Sequence, residues 1–407
     1  MEREKASRQL FWCLFTVYTI NILGKMSFAA ATVGLIDYGI LTKTQAGLIS
    51  GMFWFLYAIG QFAGGVVVSK INPYTLINIA VVSSMLSNFV LAGTKNFFTI
   101  FFIWSINGMA QFGLWPAILR LVSTELVPKQ RVKAFEILAF CFCLGSIISY
   151  FLASIVFAIA SWEYVFVSCG VLIGISWIAI IYARRRLSPK LQTLENTVST
   201  TDGKSTKLSW KVAKQGGLIF FGILVIIKSI MDNGIKNWMP TIMLETYDAS
   251  PSFTSMLSVV LLIINIFGVV VTTYIYHKVN YDELITLRIL YVTMIPMMLF
   301  LLNFRNMHIL LVTILMSAVT LLVYGSGQIL AMHYPGRFQH SGLTPTVGAF
   351  INGFAAFGNM LASYGSGFIA DHFGWDVMIG VWNALLIFFV ALTIIMIPMW
   401  SKFRKRS

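Results

Sequence analysis

Long apolar runs separated by short polar breaks dominate this chain. Each run is about as long as an α-helix that crosses the hydrocarbon core of a bilayer, roughly 20 residues. Every backbone polar group inside lipid must be bonded within its own segment, so the runs predict helices and not strands. The pattern predicts an all-α integral membrane protein with twelve transmembrane helices, at about residues 10–36, 44–69, 74–93, 97–123, 133–159, 163–183, 215–244, 252–277, 284–302, 307–332, 342–370 and 376–400.

One polar stretch is much longer than the other breaks. Residues 184–214 are basic, rich in Ser and Thr, and without apolar periodicity, which is typical of a linker. It separates two six-helix halves, residues 1–183 and 215–407. The halves share short segments, because Lys70-Ile71-Asn72 matches Lys278-Val279-Asn280 and Trp162-Glu163 matches Trp375-Asp376. We therefore predict two pseudo-symmetric halves, an organisation in which secondary transporters hold substrate near the bilayer midplane.

Composition excludes most classes of soluble protein. Hydrophobic residues make up 58% of the chain and charged residues 11%, whereas a soluble domain has about 25% charged residues. The net charge of +14 does not indicate nucleic-acid binding, because the basic residues lie in the polar breaks. No CxxC pair, nucleotide loop, nucleophile elbow or metal cluster occurs. We predict no cofactor, no metal site, no nucleic-acid partner and no enzyme activity.

The distribution of Lys and Arg predicts the orientation of the chain. With a cytoplasmic N-terminus, the outer loops carry only Lys43, Lys95 and Arg305, and nearly all other basic residues lie in the inner segments. Inner loops of membrane proteins carry the excess of basic residues. The sequence therefore predicts a multi-pass protein of the cell (inner or plasma) membrane with both termini in the cytoplasm.

The fourth predicted span carries a specific motif. Residues 108–120 read G-x-x-Q-x-x-x-W-P-x-x-x-R, which resembles a block of the organophosphate:phosphate antiporter family. That family contains the glycerol-3-phosphate and hexose-phosphate transporters of the major facilitator superfamily. Residues 72–73, 238–241, 352–354 and 373–376 are also similar to family motifs, so the resemblance covers nearly the whole chain. It implies the major facilitator fold, transport by alternating access, and a monomer.

The cations that bind phosphate in that family are absent from this chain. The family has an arginine in the first span, another in the seventh, a lysine in the second and a histidine in the fifth. The aligned residues here are Gly24, Asp232, Gln61 and Phe142. The resemblance therefore implies the architecture but not the transport of a phosphate ester.

Three charged side chains lie deep within predicted spans. A charge at mid-bilayer is costly unless it is paired or faces water. Lys25 in the first span has two interpretations. It is either a cation that faces a cavity and binds an anionic substrate, or a lysine that snorkels to the interface or forms a fixed ion pair. Lys228 and Asp232 are spaced i,i+4 on the seventh span. They form either a permanent pair or a switchable one, in which Asp232 takes a proton when Lys228 turns to the substrate.

Polar residues in several other spans are further candidates. Each either contacts the substrate or forms a hydrogen bond between helices, and family membership favours a structural role for Trp115 beside Pro116. The predicted substrate-binding set is Asn21, Lys25, Tyr57, Gln61, Gln111, Trp115, Lys228, Asp232, Asn265, Tyr324, Gln328 and Asn352, with Asp232 as the candidate for ion coupling.

These observations predict a secondary active transporter for a small polar organic solute. Lys25 and Lys228 set against Asp232 leave one net positive charge, which favours a carboxylate or a zwitterion over a doubly charged phosphate ester. The expected partners are the solute, protons or phosphate as the coupling ion, and the lipid bilayer. Two alternatives stay open: an organophosphate/phosphate antiporter, and a non-transporting membrane sensor of the same fold. An exporter of hydrophobic cations is disfavoured by the two lysines.

Overall fold

The computed structural model describes residues 2–138, 140–191, 216–339 and 343–404. In these residues the regular secondary structure is helical, without strands. The N-terminal part contains α1 (Glu2–Asp37), α2 (Lys43–Lys70), α3 (Pro73–Ala92), α4 (Phe97–Ala110), α5 (Leu114–Glu125), α6 (Pro128–Leu138), α7 (Cys141–Ile159), α8 (Glu163–Tyr182) and α9 (Ser188–Leu191). The C-terminal part contains α10 (Leu218–Tyr247), α11 (Pro251–Lys278), α12 (Glu283–Phe300), α13 (Ile309–Gln328), α14 (Tyr334–Gly336), α15 (Thr344–Ile395) and α16 (Ile397–Arg404).

The chain is a multi-pass integral membrane protein with twelve crossings, as the apolar runs predict. Among the described residues, 10 helices are long and apolar enough to span a bilayer. One of these is α15, which Gly374 divides into two arms, and the remaining crossing is the 28-residue α2. Gly374 has φ 84°, a left-handed conformation that interrupts the helix and that glycine adopts without a steric penalty.

Local sequence signals explain where several helices begin. Asn72 caps α3, and its side chain accepts a hydrogen bond from the backbone N–H of Tyr74. Ser250 caps α11 in the same way through the N–H of Phe253. A proline follows each cap at the first helical position, where its missing N–H costs nothing. These polar breaks are therefore helix starts and not only gaps in the apolar pattern.

Two predicted spans each contain two helices in the structure. The fourth consists of α4 and α5 joined by a 3₁₀ turn over Gln111–Gly113, and the fifth contains α6, which ends at Leu138, and α7, which begins at Cys141. The Trp115-Pro116 pair lies in the first turn of α5. Here Pro116 lacks an N–H that the start of a helix leaves unpaired anyway.

The predicted linker differs from the structure at its start. Residues 184–191 are helical: a π-helical turn over Ala183–Leu187 extends α8 and leads into α9. Leu187 and Leu191 are buried in the apolar core of the N-terminal region. The hydroxyl of Ser188 donates a hydrogen bond to a carboxylate oxygen of Glu125, at 3.0 Å. Residues 192–214 of the predicted linker lie outside the described residues.

The chain divides into two compact units. The N-terminal unit comprises Met1–Ile40 and Ile59–Lys204, and the C-terminal unit comprises Leu41–Ala58 and Ser205–Ser407. The core of the N-terminal unit forms where α1, α3, α5 and α8 pack together, through residues such as Leu14, Val81 and Ile118. In the C-terminal unit, the rings of Tyr291 and Phe389 stack between α12 and α15.

The first half of α2 belongs to the C-terminal unit, although the sequence prediction assigned all of α2 to the N-terminal half. Polar contacts explain this grouping. The Nζ of Lys43 lies 2.9 Å from Oε1 of Glu245 at the end of α10. The hydroxyl of Thr44 donates to Oδ2 of Asp371 in α15, at 2.7 Å. These partners are far apart in the chain, so hydropathy along the sequence does not reveal them.

Close helix packing in the C-terminal unit depends on glycine. A Cβ atom added at Gly325 of α13 would lie 2.2 Å from the carbonyl oxygen of Gly268 in α11, and also 2.2 Å from the hydroxyl oxygen of Thr272. One added at Gly268 would lie 2.1 Å from the carbonyl oxygen of Leu321. Small residues let helix backbones approach this closely inside a membrane.

We expect Gly325→Ala to destabilise the protein by about 1–3 kcal/mol, because the new methyl group meets backbone atoms that cannot move aside. Thermal unfolding of the purified protein in detergent measures the change. Gly380→Ala in α15 is the matched control, because no atom lies within 4 Å of the added Cβ. We expect this control to be neutral or slightly stabilising. Equal unfolding temperatures for the two variants would contradict the close contact of α11 with α13.

Candidate functional site

A buried carboxylate in α10 is bound by two lysines of the same helix. The Nζ of Lys228 lies 2.7 Å from Oδ2 of Asp232, and the Nζ of Lys236 lies 2.6 Å from Oδ1. The side chains of Lys228, Asp232 and Lys236 are 16%, 7% and 10% exposed. We call these three residues the α10 triad. Each carboxylate oxygen has its own cation, and the triad carries two positive charges against one negative charge.

Helix geometry produces the triad directly. Residues four apart lie on one helix face, so Lys228 and Lys236 flank Asp232 one turn before and one turn after it. An ionised carboxylate is costly in a low-dielectric interior unless it is paired. The two lysines pair the carboxylate and leave one positive charge in excess. The excess charge makes the triad electrostatically suited to an anion.

Helix α13 contacts both lysines of the triad. The Nζ of Lys236 lies 5.5 Å from the ring centroid of Tyr324, within the range of a cation–π interaction. A Cβ added at Gly327 would lie 3.3 Å from Cε of Lys228. The absence of a side chain at Gly327 therefore leaves space for the side chain of Lys228 beside α13. On the same helix, Oε1 of Gln328 accepts a hydrogen bond from the hydroxyl of Thr273 in α11, at 3.2 Å.

Three asparagines of the C-terminal unit have different environments. Asn265 is 1% exposed, and its Oδ1 accepts a hydrogen bond from the hydroxyl of Thr320, at 2.9 Å. Asn352 is exposed on α15. Further along α15, Asn359 accepts a hydrogen bond from the amide of Asn233, which directly follows the aspartate of the triad. The last pair ties α15 to α10 beside the triad.

Tyr57 is also part of the C-terminal unit, because it lies in the first half of α2. It is half-buried, and its ring makes an edge-to-face contact with Trp54, with ring centroids 5.7 Å apart. Gln61 lies one turn later on the same helix and is grouped with the N-terminal unit.

In the N-terminal unit, Asn21 and Lys25 lie one turn apart on α1. Asn21 is fully buried, and neither atom of its amide has a hydrogen-bond partner among the described residues. Lys25 is half-buried. Buried polar atoms are almost always bonded, so an unpartnered asparagine next to a lysine in the middle of a span is a strong candidate for contact with a polar solute.

The remaining candidates of the N-terminal unit hold helices together. The Nε2 of Gln111 donates to the carbonyl of Ala80, at 2.9 Å, and to Oδ1 of Asn107, at 3.0 Å. The Nε2 of Gln61 donates to the carbonyl of Phe112, at 3.1 Å. Trp115 stacks on Tyr18, with ring centroids 5.0 Å apart. The helix-to-helix alternative is therefore better supported than solute contact for Gln111 and Gln61.

Packing also accounts for the missing arginine of the first span. Gly24 is buried, and a Cβ there would lie 2.2 Å from Cδ1 of Ile173 and 3.1 Å from the hydroxyl oxygen of Ser84. There is no space at this position for a long cationic side chain. The cationic side chain on this part of α1 is therefore that of the next residue, Lys25.

Two residues of the α10 region were missed by the sequence prediction. Lys236 has the same i,i+4 spacing to Asp232 that identified Lys228, so its position was readable from the sequence. Asn233 gave no such signal, because its partner Asn359 lies on a distant helix. Among the described residues, no group of His, Cys, Asp and Glu side chains is arranged to hold a metal ion.

Comparison with known proteins gives a family match and several distant relatives. The sequence pattern of the Major Facilitator Superfamily matches residues 14–344. The chain is 24% identical over 273 residues to a hexuronate transporter of Bacillus subtilis, which is 65% of this chain and 64% of that protein. It is 29% identical over 126 residues to sugar phosphate exchanger 3 of Xenopus laevis, which is 30% of this chain and 25% of that protein.

A further relative is the membrane sensor protein UhpC of Salmonella typhimurium, 23% identical over 128 residues, or 30% of this chain and 29% of that protein. The chain thus spans less than two thirds of the length of each of these three relatives.

Solved structures with the same fold cover nearly the whole chain. A bacterial homologue of the human lysosomal transporter Spinster superposes with a TM-score of 0.76 at 12% identity, over 98% of both chains. A D-xylose-proton symporter superposes with a TM-score of 0.70 at 12% identity, over 97% of both chains. At this identity the likeness concerns the fold alone. The sequence match over most of the chain and the shared fold together assign this protein to the major facilitator superfamily.

Proposed function

We propose that the protein is a secondary active transporter that moves a small organic anion or zwitterion by alternating access, with protons as the coupling ion. The α10 triad is the observation that carries this proposal. It combines a buried group that can hold a proton, Asp232, with two cations that can hold an anion, Lys228 and Lys236.

The triad links protonation to substrate binding through charge alone. While Asp232 is ionised, it neutralises half of the positive charge of its two lysines. A proton on Asp232 removes that negative charge and leaves both lysines in need of a counter-ion, because unpaired charges are costly in this environment. An anionic substrate supplies the counter-ion. A proton and an anion therefore favour each other's binding, which is the thermodynamic requirement for symport.

One negative group on the substrate matches this arrangement. A carboxylate has two oxygens, so once a proton has neutralised Asp232 it can accept a hydrogen bond from each of the two lysines. The similarity to a protein named as a hexuronate transporter supports a sugar acid, a polar solute with a single carboxylate. In the C-terminal unit, the remaining side chains proposed to contact the solute are Tyr324, Gln328, Asn265 and Asn352, with Tyr57 as an aromatic neighbour. In the N-terminal unit, the side chains proposed for solute contact are Asn21 and Lys25.

The proposed location is the cell membrane, with both termini in the cytoplasm, because the Lys and Arg distribution favours this orientation. The protein works as a monomer, with the solute and protons as its partners and the bilayer as its environment.

Two other activities are supported by similarity to relatives. An organophosphate/phosphate antiporter is supported by the likeness to sugar phosphate exchanger 3, and a non-transporting sensor by the likeness to UhpC. Both are less well supported by the α10 triad, since its aspartate stands where the antiporter family has an arginine. Assays of accumulation, exchange and binding distinguish the symporter, the antiporter and the sensor.

The first test concerns proton coupling. In proteoliposomes with an acidic exterior, we expect Asp232→Asn to abolish accumulation of galacturonate, because asparagine cannot carry the proton. Counterflow exchange of galacturonate across the same membranes needs no net proton movement, so we expect it to remain.

Asp248→Asn, at the exposed end of the same helix, is the matched control and should accumulate solute normally. If Asp232→Asn accumulates galacturonate with unchanged pH dependence, Asp232 is only a structural partner of its lysines. If the unaltered protein binds galacturonate but never moves it, the sensor is the correct alternative.

The second test concerns the two lysines. We expect Lys228→Gln and Lys236→Gln each to weaken galacturonate binding about tenfold or more, because each removes a charge-assisted hydrogen bond worth roughly 1.5–3 kcal/mol. Isothermal titration of the purified variants measures the affinity. Lys278→Gln, at the end of α11 and above the ring of Tyr274, is the control and should bind normally. Unchanged affinity in both triad variants would show that the anion binds elsewhere.

The third test concerns substrate charge. At a concentration of 100 times Kd, a ligand stabilises the folded protein by about 2.7 kcal/mol. We expect such stabilisation from galacturonate and none from galactose, which has the same ring without the carboxylate. Stronger stabilisation by glucose 6-phosphate, together with its exchange for phosphate in proteoliposomes, would instead establish the antiporter.

A further inference from the structure

We propose that an anionic phospholipid binds in a hollow between the beginning of α1 and α6, at the end of the N-terminal unit where the chain starts. The lipid phosphate contacts Arg8, Lys129 and Lys133, and the adjoining acyl chain lies against Trp12. This site is separate from the α10 triad and does not depend on the proposed transport activity.

The hollow has the size and lining of a small ligand site. Its volume is about 300 Å³, at the lower end of the range for small-molecule pockets. Polar and apolar side chains share the lining, which includes Arg8, Phe11, Trp12, Lys129, Lys133 and Ile137. We call it the α1–α6 hollow.

Hydrogen bonds fix the two helices that form the hollow. The hydroxyl of Ser7 in α1 donates to Oε1 of Gln130 in α6, at 2.8 Å. The same hydroxyl oxygen accepts a hydrogen bond from the N–H of Val127, at 3.0 Å, just before α6. Ser7 is fully buried. The hollow is therefore a fixed feature of the packing and not a gap between two loosely associated helices.

The cations of the hollow are available for a ligand. Arg8, Lys129 and Lys133 are all exposed, and none forms an ion pair with another described residue. Basic residues at the ends of other helices do form ion pairs: Arg337 binds Glu283, and Arg404 binds Asp282. Three cations that share one hollow without an acidic lining residue attract a phosphate group.

The apolar side of the hollow lies where α1 passes from polar to apolar sequence. Trp12 is 50% exposed, although the residues that follow it in α1 are mostly buried. Its ring contacts Phe11 and Phe15, with ring centroids 5.2 and 5.4 Å apart. Tryptophan is enriched at the boundary between headgroups and acyl chains. The hollow therefore lies at the depth where a lipid phosphate and the first part of its acyl chains are found.

A second hollow adds space for the lipid. Its volume is about 650 Å³, and it shares Arg8 and Trp12 with the first. Glu4, Lys5 and Tyr182 also line it, so it contains one acidic residue beside two basic ones. A phosphate ion or a soluble solute would use the cations but not the exposed indole. An anionic phospholipid uses both, and basic pockets at the ends of membrane helices are known to hold such headgroups. Charge and depth therefore favour a lipid as the occupant.

The test counts bound lipid on purified protein. Native mass spectrometry in detergent with added phosphatidylglycerol should show one tightly bound lipid, and phosphatidylcholine, which has no net charge, should bind far more weakly. We expect the triple variant Arg8→Gln, Lys129→Gln, Lys133→Gln to bind phosphatidylglycerol about tenfold or more weakly, because it removes the three charges that contact the phosphate.

The matched control is Arg184→Gln, Arg185→Gln, Arg186→Gln. It removes three exposed cations from the same unit but none that lines the α1–α6 hollow. Binding that is unchanged in the control and weakened in the hollow variant supports the site. Equal weakening in both variants would overturn it, because diffuse positive charge would then suffice.

Three further measurements complete the test. The single variants Lys129→Gln and Lys133→Gln change exposed side chains and should fold, and each should weaken phosphatidylglycerol binding. Trp12→Ala should weaken it also, whereas Phe102→Ala, at a ring that is 59% exposed on α4, should not.

Displacement of the lipid by soluble glycerol phosphate at equal concentration would identify a site for free phosphate and overturn the lipid assignment. The absence of any bound phosphatidylglycerol would overturn it also.

Discussion

A charge buried inside a membrane protein must be paired, and in the C-terminal unit this constraint determines the chemistry of the site. Asp232 meets it with two lysines instead of one, at 2.7 and 2.6 Å. A single lysine would have made a neutral, self-contained pair with no electrostatic reason to bind a solute. The second lysine makes the cluster a cation overall. The same three side chains thus pair the buried carboxylate and leave one positive charge in excess, which is the charge that the proposed function assigns to binding an anion.

Much of the fold follows from the sequence, because lipid leaves the backbone little choice. Apolar runs of sufficient length must be helices, and the polar breaks with Asn72 or Ser250 contain their caps. The sequence did not reveal the 3₁₀ turn over Gln111–Gly113, since hydropathy predicts a helix across the fourth span but does not distinguish a 3₁₀ turn within it. It also could not show that the first half of α2 packs with α10 and α15 through Lys43, because that contact depends on tertiary structure.

The candidate site could be predicted only in part. Helical spacing identified Lys228 and Asp232, and the same rule applied in the other direction would have found Lys236. Polar residues on other helices were harder to interpret, because a polar residue in a span either binds a neighbouring helix or faces a solute. Gln111 makes hydrogen bonds to α3 and α4, whereas Asn21 makes none among the described residues. Only the tertiary structure distinguishes a polar residue bonded to a neighbouring helix from one that has no such bond.

Two other buried acidic groups are bonded differently from the triad. Each unit contains a buried glutamate that accepts a hydrogen bond from a tyrosine at 2.8 Å: Tyr74 bonds Glu125, and Tyr276 bonds Glu283, which Arg337 also binds. Both glutamates are bonded by neighbours within their own unit. The α10 triad differs because it carries an excess of positive charge, whereas each glutamate is a single negative group held by hydroxyl donors and, at Glu283, also by an arginine. In the proposed transport cycle, the excess positive charge of the triad is what an anionic substrate neutralises.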